Sequence, residues 1–126
     1  MFNELFFEHL KRPRNVGELD GRRPDVGSGA ARGEVCRDRI SLQIHLNGDR
    51  ISEARHRVFG CAGILAAASR ATEVLEGLEI REARALIGSD WAAGLELPPD
   101  KHHCVALVEE ALGRALDEFE SKAKRC

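Results

Sequence analysis

The spacing of the apolar residues changes at Gly60, and this change restricts the possible folds more than any other feature of the sequence. Between Ile40 and Leu46 every second residue is apolar, a period of two that is typical of a half-buried β-strand. From Cys61 to Gly77 the chain is rich in alanine, and its larger apolar residues recur at helical spacing. The sequence therefore predicts strands in the first half and helices in the second.

The predicted strands are joined by short turns. Asn47-Gly48-Asp49 is a turn signal, and an extended pattern resumes from Ile51 to Phe59, so the two strands on either side are expected to form a β-hairpin. Residues 30–36 are expected to add a third antiparallel strand. Residues 15–33 contain several glycines and few large apolar side chains, which predicts an irregular, turn-rich connector.

Helices are expected before and after these strands. The first covers residues 2–10 and stops before Pro13, a short one covers 80–87, and the longest covers 102–123. Leu97-Pro98-Pro99 precedes the last helix and cannot be helical throughout, because each proline lacks a backbone donor. The whole pattern predicts an α+β fold, a small antiparallel sheet of about three strands with helices packed on one face, in a single domain spanning residues 1–126.

Composition and charge exclude several classes of protein. Nineteen basic and twenty-one acidic residues give a net charge of −2, so no bulk attraction to nucleic acid is expected. The longest apolar stretch, Cys61 to Ala68, is too short to span a membrane, and the acidic N-terminus does not resemble a signal peptide. We therefore expect a cytoplasmic protein whose four cysteines stay reduced and serve more readily as metal ligands or nucleophiles than as disulfides.

Three of the four cysteines fall at junctions between predicted elements. Cys36 comes just before the hairpin, and Asp38, two residues later, shares its face of an extended chain. Cys61 opens the alanine-rich helix, and Cys104, preceded by His103, lies in the first turn of the last helix. Because helix N-termini favour anions, the thiol pKa values of Cys61 and Cys104 are expected to lie below the ordinary value of about 8.5.

These junction residues could bind a metal ion. Thiolate, carboxylate and imidazole groups can complete the tetrahedral coordination of a soft metal, and the candidates are Cys36, Asp38, Cys61, His103 and Cys104. The alternative is that the cysteines are only small apolar core residues, and their spacing matches no zinc-finger pattern. The fourth cysteine, Cys126, is expected to be an exposed terminal thiol without a role.

Short motifs around these positions resemble those of a known family. In chain order they are His9-Leu10-Lys11-Arg12-Pro13-Arg14-Asn15-Val16-Gly17, Val26-Gly27-Ser28-Gly29, Cys36-x-Asp38, Phe59-Gly60-Cys61 and Leu97-Pro98-Pro99-x-Lys101-x-His103-Cys104. The chain resembles the iron–sulfur cluster assembly scaffolds of the IscU type and the N-terminal domain of NifU. The resemblance covers nearly the whole chain, and several independent motifs in the same order are poorly explained by chance.

The resemblance implies a small α+β domain with an exposed cluster site at one end. It matches Cys36, Cys61 and Cys104 to the cysteines that bind the cluster, Asp38 to the aspartate that keeps the cluster transferable, and His103 to the adjacent histidine. It also implies that a cysteine desulfurase delivers sulfur as a persulfide, with Cys104 as the acceptor. A [2Fe–2S] cluster would then be assembled and passed to apo-proteins, and the cluster-free site would hold Zn²⁺.

The sequence departs from the family pattern at several positions near the site. Arg37 stands where the family has glycine, which removes conformational freedom from this loop. The family's Gly-Cys-Gly-Ser followed by serines is here Gly60-Cys61-Ala62-Gly63 followed by Ala66-Ala67-Ala68, so hydroxyl donors that could stabilise cluster sulfides are missing. His102 could substitute for His103, although the family spacing favours the latter.

One departure concerns a partner. The family's Leu-Pro-Pro-Val-Lys segment, which a dedicated Hsp70-type chaperone binds, has Asp100 in place of valine, and this weakens the expectation that the chaperone docks. The first hypothesis is a non-enzymatic scaffold that assembles and transfers a cluster. The alternative is a diverged zinc-binding sulfur acceptor or enhancer of a cysteine desulfurase, and a third possibility is a purely structural zinc domain. No partnership with nucleic acid or membrane is expected.

Overall fold

A three-stranded antiparallel sheet and four α-helices make up the chain in its computed structural model, which describes residues 2–34 and 37–124. The predicted ligand Cys36 and the terminal Cys126 lie outside the described residues. The elements follow one another as α1 (Glu4–Lys11), β1 (Val26–Arg32), β2 (Arg39–Asn47), β3 (Arg50–Phe59), α2 (Ala62–Leu75), α3 (Ile80–Leu86) and α4 (His102–Lys124). Short 3₁₀ turns at Ala93–Leu95 and Pro99–Lys101 precede α4. The predicted α+β fold is confirmed.

The sheet has the strand order β1-β2-β3, and one of its faces forms the core. The predicted hairpin of β2 and β3 is confirmed, with Gly48 at a positive φ of 65° in its turn. The apolar residues that alternate along β2 are all buried, as the period of two indicates: Ile40, Leu42, Ile44 and Leu46. Helices α2 and α4 cover this face, whereas the opposite face carries polar side chains.

Strand β1 begins earlier than the sequence predicts. The expected third strand at residues 30–36 is instead Val26–Arg32, so part of the predicted turn-rich connector is a strand. Gly27 and Gly29 lie directly beneath α4, where an added Cβ atom would stand 2.3 Å from the Ala115 carbonyl oxygen and 2.1 Å from that of Ala111. These glycines therefore do not mark turns; they allow the helix backbone to rest directly on the strand.

The outer edge of β1 is covered by side chains from α4. Arg114 donates to the carbonyl of Ala30, Glu118 accepts from the backbone N–H of Ser28 at 3.0 Å, and Lys122 donates to the carbonyl of Val26 at 2.8 Å. Four residues of helix advance about 6 Å and two residues of strand advance nearly 7 Å, so this series stays in register along the edge. It satisfies backbone groups that would otherwise be open to pairing with another strand.

Helix α2 is buried on almost all sides because α1 packs against the side that faces away from the sheet. Its Ala66, Ala67 and Ala68 are inaccessible to solvent, and Phe6 of α1 forms a second apolar cluster with Ala66, Leu95 and Leu97. Within the described residues, no helix has the length and apolar content needed to cross a membrane.

Candidate metal centre

Four polar side chains from separate parts of the chain meet at one end of the sheet. Asp38 precedes β2, Cys61 is the N-cap residue of α2, and His103 and Cys104 lie in the first turn of α4. One ligand atom from each of these residues lies within 4.8 Å of every other. Four of the five residues that the sequence singles out are thus brought together, and the fifth, Cys36, lies outside the described residues.

The distances within this group suit a single metal ion. The Cys61 and Cys104 sulfur atoms are 3.7 Å apart, and Oδ2 of Asp38 lies 3.4 Å from the Cys61 sulfur, 3.9 Å from the Cys104 sulfur and 3.3 Å from Nε2 of His103. The same nitrogen is 3.6 Å from the Cys104 sulfur. With metal–sulfur bonds of about 2.3 Å and metal–nitrogen or metal–oxygen bonds of about 2.0–2.1 Å, tetrahedral geometry separates ligand atoms by roughly 3.3–3.8 Å. The donor set and its spacing therefore fit a tetrahedral ion such as Zn²⁺.

Asp38 is the fixed point of the group. Its side chain is buried, and its Oδ1 accepts a hydrogen bond from the backbone N–H of Cys61 at 3.0 Å, which leaves Oδ2 directed at the other donors. Gly60 makes this contact possible, because its φ is +148° and a Cβ atom there would stand 2.1 Å from Oδ1. The glycine before Cys61 therefore orients the carboxylate from a distance of 22 residues along the chain.

The expected low thiol pKa is wrong for Cys104. Burial raises the pKa of its thiol, and the neighbouring Cys61 and the Asp38 carboxylate raise it further, whereas Lys101 acts in the opposite direction. The side chain is inaccessible to solvent, so the loss of hydration outweighs its place in the first turn of a helix. Without metal Cys104 is a protonated thiol, and metal binding must displace that proton.

Sequence reasoning missed three residues that shape the centre. Gly60 and Gly63 provide space, since a Cβ atom on Gly63 would stand 3.1 Å from the Cys104 sulfur and 3.3 Å from Cδ of Lys101. Lys101, three residues before Cys104, ends the 3₁₀ turn that precedes α4, and its charge acts to lower the pKa of the Cys104 thiol. The glycines on both sides of Cys61 were the available signal, because small residues next to a ligand often mark a close approach.

The structure shows where two features named in the sequence analysis lie relative to the centre, the histidine pair and the residues after Cys61. His102 turns away, since its Nε2 lies 3.0 Å from the Leu97 carbonyl oxygen, and His103 faces the group. The alanines at positions 66–68 are inaccessible to solvent, whereas Gly63, which stands where the family pattern has serine, adjoins the thiols: a Cβ atom there would lie 3.1 Å from the Cys104 sulfur and 3.5 Å from the Cys61 sulfur. A hydroxyl group at position 63 is therefore the missing one that would have stood beside a bound ion.

Comparison with known protein families identifies the family of this chain. The profile of the NifU-like N terminal domain matches residues 1–126. The chain belongs to this family. It is 39% identical over 122 residues to the iron-sulfur cluster assembly scaffold protein IscU of Escherichia coli K12, an alignment that covers 96% of this chain and 95% of that protein. The IscU scaffold protein of Azotobacter vinelandii is 37% identical over the same shares of both chains.

A further relative and two solved structures agree with this placement. The Drosophila melanogaster protein named iron-sulfur cluster assembly enzyme IscU is 38% identical, with 99% of this chain and 82% of that one covered. The NifU-like N-terminal domain from Brucella abortus has a TM-score of 0.74 at 16% identity, covering 95% of this NifU-like chain and 94% of the other. A SufU-type protein from Fervidobacterium islandicum gives 0.70 at 19% identity, over 90% and 95% of the two chains. These two likenesses show the shared fold.

The centre is open to solvent on one side and buried on the other. The His103 side chain is 42% exposed, whereas Asp38 and Cys104 are buried and held by helix and strand ends. An ion held by these donors would be reached from solvent on the His103 side. Mixed ligation by sulfur, oxygen and nitrogen at an exposed rim holds a metal less firmly than a buried four-cysteine site.

Proposed function

We propose that this NifU-like domain is a scaffold on which a [2Fe–2S] cluster is assembled and from which it is transferred to apo-proteins. The observation that carries the proposal is the convergence of Asp38, Cys61, His103 and Cys104 within 4.8 Å at one open end of the fold. The relatives named as iron–sulfur cluster assembly scaffolds support it, since they align with nearly the whole chain. Iron and sulfide are the cargo of such a scaffold, which binds and releases them and is not an enzyme.

The five residues have distinct proposed roles. Cys36, Cys61 and Cys104 supply thiolates to iron, His103 supplies an imidazole at the solvent-facing rim, and Asp38 supplies a carboxylate. A carboxylate is a harder and weaker ligand for iron in a cluster than a thiolate, so its presence favours release. In the cluster-free form the same donors hold Zn²⁺, whose tetrahedral preference matches their spacing.

Cys104 is the proposed acceptor of sulfur from a cysteine desulfurase. Its thiolate attacks the outer sulfur of the donor's persulfide, a new S–S bond forms on Cys104, and the donor's S–S bond breaks so that the donor cysteine leaves as a thiolate. The proton of the Cys104 thiol must be removed first, and Nε2 of His103, 3.6 Å from the sulfur, is within reach to accept it. The leaving thiolate is then protonated by solvent.

The sequence gives less support for an Hsp70-type chaperone as a partner than for a desulfurase or a recipient protein. Asp100 lies exposed in the turn before α4, at the position where the resemblance expects the valine of a chaperone-binding segment. A carboxylate there disfavours an apolar contact, so we expect docking of an Hsp70-type chaperone to be weak or absent.

Anaerobic reconstitution tests the proposal. The protein is incubated with ferrous iron, cysteine, a cysteine desulfurase and dithiothreitol, and visible absorption and circular dichroism are recorded. We expect thiolate-to-iron absorption bands that disappear in Cys61→Ala and Cys104→Ala and persist in Cys126→Ala, the matched control that removes the one cysteine to which the proposal gives no role. Absence of the bands in the unaltered protein, or equal bands in all the variants, would contradict the scaffold assignment.

A further inference from the structure

A second feature lies next to the metal centre, at the end of β1 and β2. It is an open cavity of 980 Å³ that continues into a second cavity of 590 Å³, and the two share the side chains of Arg32, Arg39, Phe59 and Arg114. Arg37 lines the larger part. We call this region the arginine groove. None of the four converging side chains that the structure describes, Asp38, Cys61, His103 and Cys104, lines the groove.

Two arginines of the groove oppose each other across the sheet. Arg32 is the direct partner of Arg39 in the ladder between β1 and β2, and both side chains are exposed. Like charges in directly opposed positions destabilise a strand pair. No carboxylate in residues 2–34 and 37–124 forms an ion pair with Arg32, Arg37 or Arg39. An anion held between them would turn this unfavourable pairing into a binding site.

The groove is positively charged, whereas the chain as a whole is negatively charged. Four arginines and two glutamates line the larger cavity, so its formal charge is +2, whereas the whole chain carries −2. One of the four, Arg114, is held by Glu110 at 2.9 Å. The other three therefore present guanidinium groups to solvent at one small site, which concentrates positive potential there.

Phe59 gives the groove an apolar anchor. Phe59 is 61% exposed, the largest fraction among the large apolar residues that the structure describes, and the Arg39 guanidinium carbon lies 5.0 Å from its ring centroid. Arginine and aromatic residues are enriched in protein interfaces and at the contacts that dominate their affinity. A small anion would use the guanidinium groups and leave the ring uncovered, whereas a peptide with carboxylates beside an apolar side chain would use both.

We propose that the arginine groove is a docking surface for an acidic segment of a partner protein, in which carboxylates pair with Arg32, Arg37 and Arg39 and an apolar side chain covers Phe59. The docked segment would end beside the metal centre, because Phe59 is two residues before Cys61 and Arg37 and Arg39 flank Asp38. The proposal rests on the charge and shape of the groove and does not depend on the cargo of the centre.

A peptide titration tests the proposal on the full chain. The probe is a fluorescein-labelled twelve-residue peptide in which glutamate and aspartate alternate with leucine and phenylalanine, and its control has glutamine and asparagine in place of the acids. We expect saturable binding of the acidic peptide by fluorescence anisotropy at low salt, weakening as salt increases. We expect the neutral peptide to bind at least about tenfold more weakly.

Variants assign the binding to the groove. R32Q/R39Q and F59A are each expected to weaken acidic-peptide binding about tenfold or more, and R32K/R39K less than R32Q/R39Q because lysine keeps the charge but not the forked geometry. The matched control R22Q/R81Q removes two exposed arginines elsewhere and is expected to change binding less than about twofold. Zinc titration and thermal melting of each variant test whether the metal centre and the fold persist. A loss of peptide binding can then be distinguished from a loss of the metal binding on which the proposed function depends.

Three outcomes would overturn the proposal. The first is absence of saturable acidic-peptide binding, and the second is equal weakening by R32Q/R39Q and R22Q/R81Q, which would indicate a general charge effect. The third is binding of citrate or of a single-stranded oligonucleotide to the groove at concentrations where the peptide does not bind. Chemical-shift changes confined to Arg32, Arg39 and Phe59 on peptide addition would support it.

Discussion

Asp38 is held in place by a residue that has no side chain. Gly60 adopts a φ of +148°, a conformation that is strained for any residue with a Cβ atom, and the carboxylate of Asp38 occupies the space that such an atom would fill. The carboxylate in turn binds the N–H of Cys61, a backbone donor at the start of α2 that has no partner within the helix. The position of the Asp38 carboxylate thus depends on the backbone of Cys61 and on Gly60 before it.

Replacement of Gly60 by alanine is therefore expected to displace Asp38. We expect G60A to lower the free energy of unfolding by about 2–3 kcal/mol, from backbone strain and the lost hydrogen bond, and to weaken Zn²⁺ binding. Urea denaturation and a zinc titration measure the two effects. G48A is the matched control, because Gly48 also has a positive φ but no atom lies within 4 Å of its Cβ position, so it should cost about 1 kcal/mol and leave zinc affinity unchanged. Equal loss of zinc affinity in both variants would contradict this account.

At the scale of single residues the sequence predicts which side chains gather but not how they are held. Cys61 and Cys104 are placed correctly at two helix starts by the change of apolar period and by the proline pair before α4. The contact of Gly60 with Asp38 joins distant parts of the chain, and no local pattern reveals it. The prediction of a low pKa for the Cys104 thiol fails for the same reason, because the thiol is buried by residues that are remote in sequence.

Among the secondary-structure elements, β1 is the one that local patterns describe least well. A strand with glycine at alternate positions has low intrinsic strand propensity, so the sequence predicts a connector there. Tertiary packing overrides that propensity, since α4 rests on Gly27 and Gly29 and three of its side chains cover the outer edge of the strand. By contrast, apolar and polar residues alternate clearly along β2 and β3, and their hairpin can be predicted without tertiary information.

The contact between α4 and β1 can be tested by two alanine substitutions of opposite expected effect. G29A would place a Cβ atom 2.1 Å from the Ala111 carbonyl oxygen and 2.5 Å from the Ala115 nitrogen, so we expect a loss of about 3 kcal/mol in stability. G113A lies within α4, where the nearest atom, Cδ1 of Ile87, is 3.6 Å away, and should stabilise the protein by about 0.5–1 kcal/mol. Urea denaturation measures both, and a stable G29A would show that α4 does not rest on the strand.

The segment between α1 and β1 is attached to the sheet through a buried histidine. His56 of β3 donates from Nε2 to the Arg14 carbonyl oxygen at 2.9 Å, while its Nδ1 is buried without a partner among the described residues. Burial lowers the pKa of His56 below its ordinary value. Below about pH 6.5 the unfolded chain binds a proton at His56, whereas the folded chain binds it only at lower pH. The free energy of unfolding therefore decreases as the pH falls through that range.

His56→Gln is expected to reduce this pH dependence. Glutamine can keep a donor near the Arg14 carbonyl and does not titrate, so the variant should lose less stability than the unaltered protein between pH 7.5 and 5.5. The difference cannot exceed about 1.4 kcal/mol per pH unit for one histidine. Urea denaturation of the metal-free proteins at both pH values measures it. His102→Gln, which removes an exposed histidine, is the control, and an equal effect of the two substitutions would contradict the argument.

At the scale of the whole molecule, the core is independent of the metal centre. The buried apolar residues run from the sheet through α2 and α4, and the centre lies at one end of this core, where Cys104 belongs to the main apolar cluster and Cys61 packs against it. A core of this extent supplies its own stabilisation, unlike a zinc finger that is unfolded without its ion. A purely structural zinc domain would instead unfold when its ion is removed.

Metal removal distinguishes these two situations in the whole protein. We expect the far-ultraviolet circular dichroism spectrum to keep its helical signal after dialysis against EDTA, because α2 and α4 pack on the sheet without the ion. Zinc at about 100 times its Kd should then stabilise the fold by about 2.7 kcal/mol, which raises the Tm by roughly 10 °C for a chain of this size. C61A/C104A should keep the fold and lose the shift, whereas R22Q/R81Q should keep both. Collapse of the helical signal in EDTA would mean that the ion is required for folding and that the centre cannot release its cargo from an intact scaffold.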